Sequence, residues 1–186
     1  HLVLITLDAV GEADREVLAS LPTFARLMRE GSYSYSVLSS WPSLTYVAHA
    51  VIQTGRSPGA NGIGDNRPFQ PGVPEELKAW YWYRDAIKVP TIFDLAKRAG
   101  LDTATVLFPL TGRARIDHNF PEVHAVGDES QVLKLAAAGD LEYMSDLLLR
   151  FGRTLRGTRE PEFDDFIADC VAHVVRTRKP GLLAAH

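Results

Sequence analysis

The 186-residue chain is poor in cysteine: Cys170 stands alone. That excludes an intrachain disulfide and any Cys-x-x-Cys metal or redox motif, and it suits a reducing compartment. No run of about 18 apolar residues occurs, so the sequence offers no membrane-spanning helix. No signal-peptide pattern opens it either, which makes a cytoplasmic location the expectation. Charge of one sign is also lacking. Twenty basic and 23 acidic residues leave a net charge of −3, no electrostatic basis for binding a nucleic-acid duplex or an anionic membrane. The one basic cluster, RFGRTLRGTR at 150–159, is followed at once by acidic residues and reads as solvated surface. Histidines at HxxxH or HExxH spacing are absent, as are internal repeats and low-complexity tracts.

What remains is ordinary globular material, 46% hydrophobic and 23% charged, able to bury roughly 70% of its unfolded surface. LVLITLD (2–8) is an apolar run ending in a carboxylate, the pattern of a buried parallel strand. Residues 12–30 read as one or two helices, with Pro22 near the second start and Gly31 as its stop. SYSYSVLSS (32–40) alternates and reads as a strand; a helix follows and ends near Gly55. Residues 56–77, rich in Gly, Pro and Asn, are loop, and a loop of that length is more often functional than not.

WYWYRD (80–85) fits an edge strand or a loop cover. PTIFDLAKRAG (90–100) is a helix with Pro90 near its first turn and Gly100 at its C-cap, and TATVLF (103–108) is a strand. His118 and His124 fall in a Pro-containing loop. Leu141, Met144, Leu148, Phe151 and Leu155 share a helical face, as do Phe163, Phe166, Ile167, Cys170, Val171 and Val174. LLAA (182–185) is a core strand. Strands alternating with helices give an α/β sandwich with a largely parallel sheet. The chain begins on one strand and stops inside what reads as another, GLLAAH, so a single domain over 1–186, incomplete at its C-terminus, is the expectation.

Three polar residues stand where chemistry is possible. Asp8 ends the first strand, and ligands of open α/β sheets sit beyond the carboxyl ends of strands. An ionised carboxylate there calls for a cation, a metal being a natural one, or else it caps the next helix. Thr45 follows Pro42 and Ser43 at a helix start. Taken alone it is a helix cap; with a metal or base to activate its hydroxyl, it is a nucleophile beside the positive helix end. Asn66, in the Gly-rich loop, is ordinary turn chemistry by itself, and a donor to a phosphoryl oxygen in the other reading. His49, four residues past Thr45, lies on the same helical face, as a structural histidine or a support for the site.

Together these elements form an ordered set: Asp8 closing LITLD, then PSLTYVAH, then TGRSPGANGIGDN. The set resembles the alkaline phosphatase superfamily, in particular its nucleotide pyrophosphatase/phosphodiesterase branch, and the likeness runs on through 89–123 and 161–186. The resemblance implies a three-layer sandwich with helices on both faces of a parallel sheet, of which this chain is the N-terminal part. It implies Asp8 and Thr45 as ligands of two divalent metal ions, zinc above all, Thr45 as the nucleophile, and Asn66 on a phosphoryl oxygen. Tyr46 follows the nucleophile where relatives often set an aromatic against the substrate.

The implied activity is hydrolysis of phosphodiester or pyrophosphate bonds of small, nucleotide-like substrates through a covalent phosphothreonine. The alternatives are a phosphomonoesterase, phosphonate hydrolase or mutase of the same superfamily, or a fragment or binding module without most of the metal site. The remaining ligands, an Asp-x-x-x-His first among them, are expected beyond His186. Ala9 replaces the Gly that often follows the first Asp, Ala48 the usual Asn, and Asn61 the usual His before Gly-Ile.

Overall fold

The structure is a computed structural model that describes residues 1–155 and 159–186; the basic run at 150–159 lies partly outside the described residues. In chain order the regular elements are β1 (Leu2–Ile5), α1 (Arg15–Ser20), α2 (Pro22–Glu30), α3 (Thr45–Thr54), α4 (Pro58–Asn61), α5 (Ile92–Arg98), β2 (Thr103–Phe108), β3 (His118–Pro121), α6 (Gln131–Ala136), α7 (Leu141–Phe151), α8 (Glu162–Thr177) and β4 (Leu182–Ala185). Backbone packing divides them into two compact units, His1–Thr6 with Ser40–His186, and Leu7–Ser39.

The larger unit is built on a four-stranded sheet of order β1-β4-β2-β3, every pairing parallel. Strand alternation places Leu183 and Ala185 on one face, with Ala104, Val106 and Phe120. Against that face pack Met144 and Leu147 of α7 and Phe166, Cys170 and Val174 of α8. Leu182 and Ala184 point the other way, to Phe93 and Ala96 of α5. Helices thus cover both faces, which is why β4 is apolar throughout, β2 is apolar but for Thr103 and Thr105, and both are wholly buried.

Phe108 would share a face with Ala104 and Val106 if the pleat ran on unbroken. The register instead shifts between Val106 and Phe108, and Leu107 takes φ 50°. That irregularity sends Leu107 to the α7/α8 side and Phe108 to the α5 side. A third cluster gathers Tyr46, Val47 and Ala50 of α3 with Ile63, Trp82 and Leu110. Gln53 ties α3 to the end of β2, donating from Nε2 to the Pro109 carbonyl at 2.8 Å.

Several expectations are corrected. Among the described residues β1 pairs only with β4, and it is mostly exposed rather than buried, Leu2 at 60% and Ile5 at 56%; Leu4 alone of this outermost strand is packed against a core cluster. Of the two readings of residues 80–85 the loop cover holds and the edge strand does not: one bridge, Tyr83 to Gly112, is all that pairs, and the aromatics lie over the third cluster. The cap of α5 is Thr91, which exchanges bonds with Asp94 in a capping box, and Gly100 lies one residue past the C-cap Ala99, at φ 73°. His118 starts β3 rather than sitting in a loop. In α7 the buried stripe is Tyr143, Met144 and Leu147, whereas Leu141 and Leu148 are exposed.

The smaller unit contains α1 and α2, with Pro22 in the first turn of α2 and Gly31 at its C-cap, as expected. Residues 32–40 form no strand. Their alternating tyrosines find ring partners instead of a ladder: Tyr35 stacks edge-on with Tyr33, lies under the Arg15 guanidinium and donates its hydroxyl to Met28 Sδ at 3.2 Å. Local aromatic packing outcompetes the alternation signal because no sheet edge is paired there.

Candidate active site

Thr45 is the first residue of α3, and the N-cap is Leu44, whose side chain offers no oxygen. The reading of Thr45 as the helix cap is therefore corrected. The cap comes from outside the helix: the Tyr46 N–H donates to Asn66 Oδ1 at 3.0 Å. One of the orphan N–H groups of the first turn is satisfied this way, from 20 residues downstream.

Asn66 is itself fixed on both sides. Its N–H donates to Asp65 Oδ1 at 2.6 Å, and its carbonyl accepts from the Tyr81 N–H at 3.0 Å. With Oδ1 committed to the helix, the Asn66 NH2 is the donor end of the amide. The stretch before it explains the Asn-Gly-Ile sequence. Asn61 is buried and closes the loop, donating to the Arg56 carbonyl and accepting from the Ile63 N–H. Gly62 stands at φ 91°, where a Cβ would meet the Lys88 side chain at 2.9 Å. Ile63 then enters the core beside Tyr46.

Tyr46 is not at the surface. Its side chain is 0% exposed, packs edge-on to Trp80 at 5.3 Å, and donates its hydroxyl to Glu122 Oε2 at 3.2 Å. Burial, and then the Glu122 charge, push the phenol pKa far up. A ring so enclosed cannot face a substrate; it anchors the start of α3. Trp80 covers it and lines an open cleft of about 700 Å³ together with Leu44, Asn66, Arg67 and Phe69. The cleft therefore adjoins the N-terminus of α3, where helix polarity favours an anion.

His49 lies on the inner side of the same turn, its Nδ1 2.7 Å from the Thr45 carbonyl and its ring 5.1 Å from that of Phe108. Its Nε2 is 2.9 Å from Thr6 Oγ1, a contact that nothing in the spacing of the polar residues foretold. The signal was there in outline, as the one hydroxyl inside LVLITL.

Thr45, Tyr46 and Asn66 thus come together in the larger unit. Asp8 belongs to the smaller one. There its Oδ1 accepts from the Ala9 N–H at 3.0 Å; the helices that follow have Gly11 and Asp14 at their N-caps, so Asp8 caps neither. Ala9 stands at φ 54°, a left-handed position that glycine fills without strain.

A family model for type I phosphodiesterase / nucleotide pyrophosphatase matches residues 2–185. The chain belongs to that family. No curated protein matches it. Among solved structures it is similar to phosphonoacetate hydrolase from Sinorhizobium meliloti 1021 in complex with phosphonoacetate, at 20% identity and a TM-score of 0.68. The same enzyme in complex with phosphonoformate gives 21% identity and a TM-score of 0.68. Each match covers 98% of this chain but 44% of the other, so the chain spans less than half the length of the proteins it resembles. That likeness extends to the fold, an alkaline-phosphatase-like α/β sandwich.

Among the described residues, no three His, Cys, Asp or Glu side chains cluster as a metal site would require. A carboxylate such as that of Asp8 and a hydroxyl such as that of Thr45 are oxygen donors of the kind a divalent cation takes. No helix among the described residues is long and apolar enough to cross a membrane.

Proposed function

We propose that this chain is the nucleophile-bearing part of a single catalytic domain that hydrolyses small phosphodiester or pyrophosphate substrates, with Thr45 as nucleophile. The observation that carries the reading is the Tyr46 N–H to Asn66 Oδ1 bond at 3.0 Å. It joins the hydroxyl-bearing first turn of α3 to an amide whose NH2 is free to donate, at a helix end suited to phosphate, in a chain of this family.

In this reading the phosphoryl group lies over the N-terminus of α3. Thr45 Oγ attacks phosphorus, the bond to the leaving oxygen breaks, and a phosphothreonine forms; water then cleaves the Thr45–phosphorus ester and restores the hydroxyl. Asn66 donates its NH2 to a non-bridging oxygen, whose charge grows in the transition state. Tyr46 holds the turn from beneath. By resemblance to the family, Asp8 and Thr45 would each be a ligand to a divalent cation, zinc above all, with the other ligands supplied by residues outside 1–186. Such cations supply Lewis acidity, lowering the pKa of a hydroxyl and stabilising a leaving oxygen.

The test is turnover by the full-length protein on a nitrophenyl phosphodiester, the corresponding monoester and a phosphonate. Thr45→Ala is expected to lower kcat by ~10³-fold or more with the fold intact. Near-normal hydrolysis by that variant would overturn the nucleophile assignment. A preference for the monoester, or for the phosphonate, which alone is the ligand class named in the similar solved structures, would move the substrate within the superfamily and leave Thr45 in its role.

A further inference from the structure

Thr6 lies just past the end of β1, inside a run that is otherwise apolar, and its hydroxyl meets three partners from two segments, α3 and the end of β4. Oγ1 stands 2.9 Å from His49 Nε2, 3.0 Å from His186 Nδ1 and 3.2 Å from the Ala185 carbonyl. A hydroxyl has one proton and two lone pairs, so three contacts use its full capacity. The two imidazoles pack edge to face with centroids 4.4 Å apart, and His49 is 5% exposed. The Thr6 backbone is held too, its N–H donating to the Ala185 carbonyl at 3.0 Å.

The direction of these bonds follows from what each atom can do. The Thr45 carbonyl only accepts, so His49 Nδ1 carries a proton. The Ala185 carbonyl likewise only accepts, and His49 Nε2 accepts once Nδ1 is the protonated nitrogen. The single Thr6 proton goes to one of these two acceptors, and in either case none is left for His186. His186 Nδ1 is the partner left to donate, which assigns His186 to the Nδ1–H tautomer.

We propose that Thr6 is a positioning residue for Thr45. Through His49 its hydroxyl fixes the first turn of α3, and through His186 it ties that turn to the end of β4. Valine has the same shape and at least as good a strand preference, so a threonine here is explained by its hydroxyl rather than by packing. The kinetic part of this inference rests on the reading of Thr45 as nucleophile; the tautomer part does not.

The experiment uses the full-length protein. Long-range ¹H–¹⁵N spectra of histidine-labelled wild type should show His186 as the Nδ1–H tautomer at a pH where it is neutral, and Thr6→Val should abolish that preference. Thr6→Val should also lower kcat on a nitrophenyl phosphodiester about tenfold with KM changed less than about twofold, and Thr6→Ser should restore most of the rate. An Nε2–H tautomer of His186 in the wild type overturns the network, whether or not any variant folds. A Thr6→Val enzyme with wild-type kcat overturns the positioning role. Should Thr45→Ala retain activity, the hydrolase reading fails, and the spectra still decide the network.

Discussion

The Tyr46 amide donates to the Asn66 side-chain oxygen at 3.0 Å, and this one bond decides how the start of α3 is used. A helix that borrows its cap from a loop leaves its own first hydroxyl residue out of that task. It also fixes the loop residue's free end, because an amide that gives its oxygen to the helix presents its nitrogen elsewhere.

Replacing Asn66 separates the two functions of its amide. Asn66→Asp keeps an oxygen acceptor for the Tyr46 N–H and removes the NH2 donor; Asn66→Ala removes both. The aspartate variant should keep near-wild-type thermal stability, while the alanine variant loses about 1 kcal/mol, the usual cost of a lost cap. Both should lower kcat by about 10²-fold, the scale for one donor to a developing oxyanion. Denaturant titration and steady-state kinetics on the same preparations check this. Full activity in Asn66→Asp would remove the donor role.

At Ala9 the backbone itself favours glycine. The residue holds φ 54° directly after Asp8, whose carboxylate accepts its N–H. An L-residue there carries about 1 kcal/mol of strain that glycine lacks. Ala9→Gly is therefore expected to stabilise the full-length protein by about 0.5–1 kcal/mol, offset in part by the greater freedom of glycine in the unfolded chain. A lower unfolding midpoint for the glycine variant would contradict the assignment.

Much of this was legible in the sequence, for identifiable reasons. β2, β4 and α8 announce themselves because both faces of the inner strands are buried and one helix stripe is continuous from Phe166 to Val174. Residues 32–40 misled because alternation reports which face a residue prefers, not whether a partner strand exists. β3 was hidden by His118, Asn119 and Pro121, polar or ring-constrained residues that pair with β2 through Thr105 Oγ1 donating to Asn119 Oδ1 at 2.7 Å. The order of Asp8, Thr45 and Asn66 pointed to the family, but nothing in spacing tells that Tyr46 is enclosed under Trp80. That depends on a loop folding back from residue 80, a contact between segments that no local pattern encodes.

Acid stability should report on Asp94. Its Oδ2 accepts from the Thr91 N–H at 2.7 Å and from Arg84 Nη2 at 2.6 Å. Partial burial works against its carboxylate, but the Thr91 and Arg84 bonds prevail and hold its pKa below the usual range. A folded pKa below the unfolded one gives stability that is complete above the unfolded value, about 3.9, and is lost as pH falls through the folded value. Asp94→Asn should therefore cost about 1–3 kcal/mol near neutral pH, the range for charged hydrogen bonds, and narrow its deficit below about pH 4. Urea midpoints across that range test it; a deficit independent of pH would show that the charge of Asp94 is not what stabilises the turn before α5.

Cys170 sits on the buried stripe of α8 with Phe166 and Val174, 0% exposed against the face of the sheet formed by Leu183 and Ala185. Burial, with a smaller push from the Asp169 carboxylate, drives its thiol pKa up to about 12. The thiolate is the reactive form, so at about pH 8 both access and ionisation oppose modification. In the full-length protein, this thiol should resist an aromatic disulfide reagent under native conditions and react only as fast as the core opens. Reaction in denaturant should be complete within minutes. Cys170→Ala should cost about 1–2 kcal/mol through the small cavity it leaves, and Cys170→Ser more, because a hydroxyl there has to be desolvated. Rapid native labelling of Cys170, or a serine variant as stable as the alanine one, would mean that α8 does not pack on the sheet as described.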